Sequence, residues 1–467
     1  MSPSQNSDFE GFERGPIKHG FENVLKARLS DALFFYNEDL KTDPKIFADR
    51  LEHVVFHEKL GSMKQKVERL QRLAPNSNRA AELCKLDLVT QMVGEFDELQ
   101  GLAGAEYARK RGEPDNVVAA IREHYKPAGQ SDSLPSEAAV ELALADKMDS
   151  LVGFLGIGIK PSSSKDPFAL RRLAVGIIRI VEYYAELQTV GTAQTEHRSN
   201  ELSNSLWLSD LFAAAVEAYK QQGIALRENV ASTFQNFLYE RLFFYLLEQR
   251  GARQDIVKCA IESHKQKGRL DICGVFTMVN ALEEFVVADF FDDTMTLWTR
   301  LNGFLGNKCI LSPQKNCVDE QRIDEPANFQ RLGIYPATER ADGRRHVAQA
   351  PSCTQRTAQD EQRIDEPANF RWPGINVELF ETDEERLVYD AVKKVVTEFE
   401  RCNSSNKDTI LSKFRLLGGL RPSFEAFFKA VQVNTDKKDI ANNRLSLLAL
   451  CLDLYRGVAD LSPIAKR

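Results

Sequence analysis

The chain has 467 residues, 43% hydrophobic and 28% charged, with a net charge of -7 and an isoelectric point near 5.7. That length supports two or three domains with their own cores. The acidic balance excludes a nucleic-acid binder that works through its overall field but leaves a local basic face open. Eight cysteines, at positions 84, 259, 273, 309, 317, 353, 402 and 451, include no CxxC pair, so neither a zinc ribbon nor a disulfide framework is expected. Residues 1–15 lack the basic-then-apolar order of a secretory signal. No apolar run reaches the roughly 18 residues of a spanning helix, so a cytoplasmic protein with no membrane partner is expected.

Residues 1–20 read as a disordered tail. Phe21, Val24, Leu25, Leu29, Leu33 and Tyr36 then share one helical stripe, and the fold is expected to begin with that amphipathic helix. A second long helical region covers residues 46–73, and Pro75, Asn76, Ser77 and Asn78 form a turn that leads into a helix over 79–96. A further helix spans 116–125, and a polar loop separates it from the helix that contains Asp146. Together these helices predict one all-α domain.

Residues 145–180 are the most informative stretch. Met148, Leu151 and Val152 have helical spacing, and Gly153, Gly156 and Gly158 supply the backbone freedom that ends the helix. After Pro161 and a run of three serines, Asp166 stands at an N-cap position and Pro167 at the first helical position, which predicts a helix from there to about Tyr184. Read as chemistry, a glycine-rich turn feeding a helix N-terminus beside Lys165, Arg171 and Arg172 suits an anion, either a nucleotide phosphate or a nucleic-acid backbone. Read as architecture, it is a helix–helix corner. The GxxxxGK[ST] spacing of a P-loop is absent.

A polar connector at 199–205 opens onto a second helical region. Within it Phe234, Phe237, Leu238, Leu242, Tyr245 and Leu246 recur at threes and fours, a pattern of burial rather than base stacking, while Arg241, Arg250 and Arg253 are left to face solvent. Between 306 and 374 the periodicity stops. The segment DEQRIDEPANF occurs there at 319–329 and again at 360–370, and the whole reads as a poorly ordered insertion in a loop. Helices resume at 378, and the last is expected over 439–460. Residues 413–467 carry five Lys and five Arg against five acids, whereas residues 377–400 hold eight acids and three bases. Arg444 and Arg456, twelve residues apart, can share one face of the last helix while Leu447, Leu448 and Leu454 face the core. Lys429, Lys437 and Lys438 precede them, and the group suits unpaired nucleotides approached through their phosphates.

Several long blocks, in order, carry a resemblance. They are LKARLSDALFFYNEDLK (25–41), VVFHEKLGSMKQKVERL (54–70), CKLDLVTQMVGEFDELQG (84–101), ALADKMDSLVGFLGIGIKPSSSKDPFALRR (143–172), FLYERLFFYLLEQRGARQDI (237–256) and IANNRLSLLALCLDLYRGVADLS (440–462). The chain resembles the β subunit of the bacterial heterotetrameric glycyl-tRNA synthetase. The resemblance implies an all-α fold in which a degenerate HD-like domain, residues 21–197, precedes a helical-bundle anticodon-binding domain, residues 206–467. HD phosphohydrolases hold metal with a histidine, a His-Asp pair and a distal aspartate. Here His57, Asp87 and Asp146 take those positions, but Leu86 stands where the paired histidine belongs, so no metal or catalytic group is expected in this chain. The plain alternative is that Asp87 and Asp146 satisfy helix ends or pair with Lys85 and Lys147, while His57 caps a turn.

The implied function is the tRNA-binding β subunit of a glycine-tRNA ligase. Its partners would be an α subunit, in an α2β2 assembly, and tRNA(Gly), with no DNA. ATP and magnesium would be used by the holoenzyme on the α subunit. Candidate tRNA contacts are Lys165, Arg171, Arg172, Arg241, Arg253, Lys429, Lys437, Lys438, Arg444 and Arg456. The family has a large N-terminal region before the first block, so a fragment, a split product or a decayed copy is expected. An HD-type phosphohydrolase and a helical adaptor that ignores tRNA are the competing classes.

Overall fold

The computed structural model describes residues 14–129, 131–161, 165–189, 205–266, 270–305, 375–402 and 406–465. The insertion at 306–374, with both copies of its repeat, lies outside them. The described chain is helical apart from one short hairpin, and no described helix is long and apolar enough to cross a membrane.

Helix α1, Arg14–Lys41, begins inside the segment expected to be a tail. Its apolar stripe does not pack as a core face does. Phe21, Val24, Leu25, Leu29, Leu33 and Phe34 are each more than half exposed, and only the last turns, through Ala32, Phe35, Tyr36 and Leu40, meet the cluster of Met92, Val93, Ala103 and Tyr107. Buried Asp39 fixes that end by accepting from the N–H groups of Gln91 and Met92, both at 3.0 Å, and from the Tyr107 hydroxyl at 2.9 Å.

The region expected as one helix over 46–73 is broken. It contains α2 (Pro44–Arg50), a 3-10 turn, a hairpin of β1 (Val55–His57) and β2 (Gly61–Ser62), and then α3 (Met63–Leu73). Gly61 takes the left-handed φ of +86° that the hairpin needs, and Ser62 with Gln65 forms a capping box that restarts the helix. The expected helix over 79–96 likewise divides into α4 (Asn78–Leu83), a 3-10 turn (Leu86–Val89) and α5 (Gln91–Glu95). Thr90 makes the second start, capping the N–H of Val93. There follow α6 (Leu102–Lys110), α7 (Asp115–Glu123), α8 (Glu137–Gly156), α9 (Leu170–Thr189), α10 (Ser205–Gln221), α11 (Val230–Glu248), α12 (Gln254–Gln266) and α13 (Ile272–Phe285).

Helix α8 is the axis on which α3, α7, α9, α10 and α11 pack. From Ala139 to Gly156 every residue but Glu141 is buried, the pattern of a helix enclosed on all sides. Gly153 and Gly156 therefore do not serve to end it. A Cβ on Gly153 would stand 2.2 Å from the Tyr219 hydroxyl and one on Gly156 would stand 2.7 Å from Leu226, so both glycines admit close neighbours. Only Gly158, at φ +89°, provides the left-handed exit.

Helix α9 starts three residues after the expected Pro167. Ala169 takes a φ of +53°, and the Asp166 carboxylate reaches forward to accept from the N–H groups of Leu170 at 2.8 Å and Arg171 at 3.0 Å. Asp166 thus caps the helix from outside the N-cap position.

The chain divides into two compact units, residues up to 276 and residues from 277, with the division inside α13. The polar connector near 199–205 is not that division, because α10 packs on α3 and α8 and α11 packs on α8 and α9. The second unit contains α14 (Phe291–Leu305), α15 (Asp383–Arg401), α16 (Lys407–Gly418), α17 (Arg421–Ala430), α18 (Lys438–Val458) and α19 (Ser462–Ala465). Helices α14, α16 and α18 pack on one another, and α15 packs on α17 and α18. Phe285 stacks on Phe414 with centroids 4.4 Å apart, Phe424 and Phe427 are fully buried, and the buried Tyr455 hydroxyl donates to the carbonyls of Thr294 and Leu417.

Candidate nucleic-acid interface

The three positions that the resemblance offers for a metal have separate partners. His57 accepts from the N–H of Lys59 at its Nδ1 and lies edge-on to Phe154 and Phe168. Asp87 accepts from the N–H groups of Gly101 at 2.6 Å and Gly104 at 3.3 Å, at the start of α6. Asp146 faces the ammonium groups of Lys66 at 3.0 Å and Lys85 at 3.3 Å. Burial alone would raise the Asp146 carboxyl, but the two lysines outweigh it and hold it well below the carboxylate range. Among the described residues no group of three or more His, Cys, Asp or Glu is placed to hold a metal.

Asp146 belongs to a wider buried set. Lys85 Nζ lies 2.9 Å from His124 Nε2, and His124 Nδ1 lies 2.6 Å from the carbonyl of Ile121. Nδ1 must therefore carry the proton and Nε2 accept from Lys85. The ring is neutral, its pKa pushed down by burial and by Lys85. One turn along α8, Asp149 takes a bidentate contact from Arg69, at 2.6 and 3.2 Å, and a third from Lys66 at 2.9 Å. Lys147 does not pair with Asp146 as expected. It donates to the carbonyls of His124, Tyr125 and Lys126 just beyond α7, and burial pushes its pKa down to about 8. Sequence reasoning missed Lys66, Arg69 and Asp149. The signal was there: two cations three residues apart among Val67, Leu70 and Leu73, and two acids three residues apart in a helix whose neighbouring residues are mostly apolar.

Of the candidate cations in the first unit, three come together. Arg171 and Arg172 in the first turn of α9, with Arg241 on α11, line a groove of about 190 Å³ whose other walls include Gly176, Phe244 and Gln249. Arg241 does not simply face solvent. Its guanidinium lies 5.2 Å from the centroid of Phe244 and 5.8 Å from that of Phe237, Nη2 pairs with Glu240 at 2.6 Å, and Nε is buried with no hydrogen-bond partner among the described residues. The rest of the aromatic stripe is core as expected: Phe234, Leu238, Leu242 and Leu246 are buried, and Phe237 and Tyr245 are half-buried. Lys165 is exposed and Arg253 pairs with Asp255 at 2.7 Å, and neither lines the groove.

In the second unit the expected pairing of Arg444 with Arg456 on one open face does not occur. Arg444 is 5% exposed and is held by Glu385 at 2.7 Å, Glu381 at 3.1 Å and the carbonyl of Gln432 at 3.0 Å. Glu385 is itself the third helical residue of a capping box with Thr382. The T-x-x-E signature beginning at Thr382 was the sequence sign that the acid at 385 is structural, but nothing local names Arg444 as its partner. Lys429, Lys438 and Arg456 are exposed, and Lys437 is exposed and paired with Glu381 at 2.7 Å. A second cationic and aromatic surface lies on α14 and α17, where Phe304 stacks on Phe428 at 5.1 Å and Arg300 lies 4.7 Å from the Phe428 centroid.

The model of the glycyl-tRNA synthetase beta subunit family matches residues 7–262. Similar proteins include glycine–tRNA ligase beta subunits of Desulforudis audaxviator, 32% identical, Rickettsia conorii, 30% identical, and Persephonella marina, 29% identical. These alignments cover 96–97% of this chain but only 54–56% of each relative, so the chain spans about half the length of the proteins it matches.

Proposed function

The chain belongs to the glycyl-tRNA synthetase beta subunit family, and from that premise we propose that it is the tRNA-binding part of a glycine-tRNA ligase. In this reading it binds tRNA(Gly) and supports ATP-dependent attachment of glycine, while the catalytic centre, with ATP and its magnesium ion, is on an α subunit in an α2β2 assembly. The observation that carries the proposal is that the likeness runs through nearly the whole chain, both compact units included, rather than through one motif.

The HD-like domain lies within the first unit, which also takes in α10 and α11, and the anticodon-binding bundle lies within the second unit, interrupted at 306–374. Asp146, with the ammonium groups of Lys66 and Lys85 at 3.0 and 3.3 Å, supports a structural rather than a hydrolytic role for the HD-like part. Exposed Lys429, Lys438 and Arg456 support the contact of the bundle with RNA phosphates, with Lys437 beside them. Arg444, tied to Glu385, is a positioning residue for α15 and α18. The reading is tested by mixing the chain with a glycyl-tRNA synthetase α subunit and measuring charging of tRNA(Gly) and of a tRNA with an altered anticodon. Charging that depends on the chain and discriminates between the tRNAs is the expected result. Charging indifferent to the chain, or no tRNA binding by the mixture, rejects it.

A further inference from the structure

We propose that the groove between α9 and α11 holds one nucleotide of a single-stranded RNA, with its phosphate on Arg172 and Arg171 and its base against Phe244. The proposal rests on the tRNA reading and adds to it a contact site in the first unit, apart from the anticodon-binding bundle.

Three observations carry it. Arg171, Arg172 and Arg241 line the groove from two helices, against Glu248 in its lining and Glu240 paired with Arg241, so positive charge exceeds negative there and favours an anion inside a chain that is acidic overall. Phe244 is 42% exposed although the rest of its aromatic run is buried or half-buried, and Arg241 is stacked beside it, which together offer a flat cationic and aromatic surface. Arg241 also carries a buried N–H at Nε with no acceptor among the described residues, so the chain itself answers only part of this guanidinium beside the groove.

Size narrows the occupant. About 190 Å³ is below the roughly 300–1,000 Å³ of pockets that enclose a drug-sized molecule, so the groove takes one unit of a chain that continues outside it. An acidic peptide would meet the arginines but would leave Phe244 without a planar partner. A duplex keeps its bases stacked on one another and could offer only phosphates.

The test uses the full chain with a labelled hexaribonucleotide, a duplex RNA, a poly-glutamate peptide and tRNA(Gly), comparing wild type with Arg172→Ala and Phe244→Ala. Both positions are exposed, and thermal melts confirm that the variants fold. Expected for Phe244→Ala is at least a fivefold loss of hexanucleotide affinity, about 1 kcal/mol or more per stacked base, with an unchanged salt slope. For Arg172→Ala the expected result is weaker binding of the hexanucleotide and of tRNA(Gly), and a salt slope lower by about 0.7.

The proposal is overturned if wild type does not bind the hexanucleotide, if both variants bind it as wild type does, or if duplex RNA or poly-glutamate displaces it equally well. Unchanged tRNA(Gly) binding by both variants, with charging intact, removes the groove and leaves the proposed function standing. Groove-dependent hexanucleotide binding with no preference for tRNA(Gly) does the reverse.

Discussion

Around α8 the interior is ionic, with Asp146 and Asp149 enclosed beside Lys66, Lys85 and Arg69, whereas the interior of the second unit is filled by Phe285, Phe414, Phe424 and Phe427 and its buried ion pair is Arg444 with Glu385. Both interiors exclude water, but they fail differently. An aromatic core loses contacts roughly in proportion to the volume removed, and neighbours partly close the gap. An ionic core loses little while every charge is answered, and much when one is not, because the remaining ion cannot recover its hydration. The first unit should therefore be the more brittle to single substitutions and to acid.

The largest expected effect is Arg69→Ala, which leaves Asp149 with Lys66 alone and should cost about 3–5 kcal/mol in urea unfolding of the first unit. A loss under 1 kcal/mol would mean that water reaches Asp149 and that the interior is not ionic in the sense argued. Arg444→Ala comes next, at about 3 kcal/mol in the second unit, the lower end of that range because Glu385 keeps the N–H groups of Glu381 and Thr382. If Arg444→Ala instead weakens RNA binding with no change in stability, its guanidinium is not committed as described.

Acid provides a test without substitutions. Asp146 and Asp149 are held below the pKa of about 3.9 that an aspartate has in the unfolded chain, so their stabilising contribution is complete above roughly pH 5 and drains away as pH falls further. Hydrogen exchange followed by mass spectrometry between pH 6 and 3 should show α8 losing protection before α14, and the opposite order would break the comparison. The smallest effect is Asp166→Ala, about 1 kcal/mol in a thermal melt, since it removes one remote cap from α9.

The helical class was legible because apolar residues recur at threes and fours from α1 to α18, and a helix start near Asp166 was legible because caps are local. What could not be read was set by residues distant in the chain. Asp149 meets Arg69 across 80 positions and Arg444 meets Glu385 across 59, so charged residues that periodicity alone would put in solvent turn inward together. The stripe on α1 misled in the other direction, since spacing shows that a face exists and not that anything in this chain covers it. The groove was half visible: Arg171 and Arg172 were noted beside a helix start, but their convergence with Arg241 depends on how α9 packs on α11.

Gly153 carries a consequence for how this sequence can vary. The Tyr219 hydroxyl that stands where its Cβ would be donates to the Asp149 carbonyl at 3.0 Å, and the same ring lies 4.0 Å from the Arg69 guanidinium. One methyl group on α8 would thus displace the ring that shields a buried charge on α3. Substitutions at 153, 219 and 69 should be strongly epistatic, their combined cost departing from the sum by about 0.5–3 kcal/mol. Over evolutionary time three positions far apart in the chain are then free to change only together, with Tyr219 as the intermediary through which each limits the others.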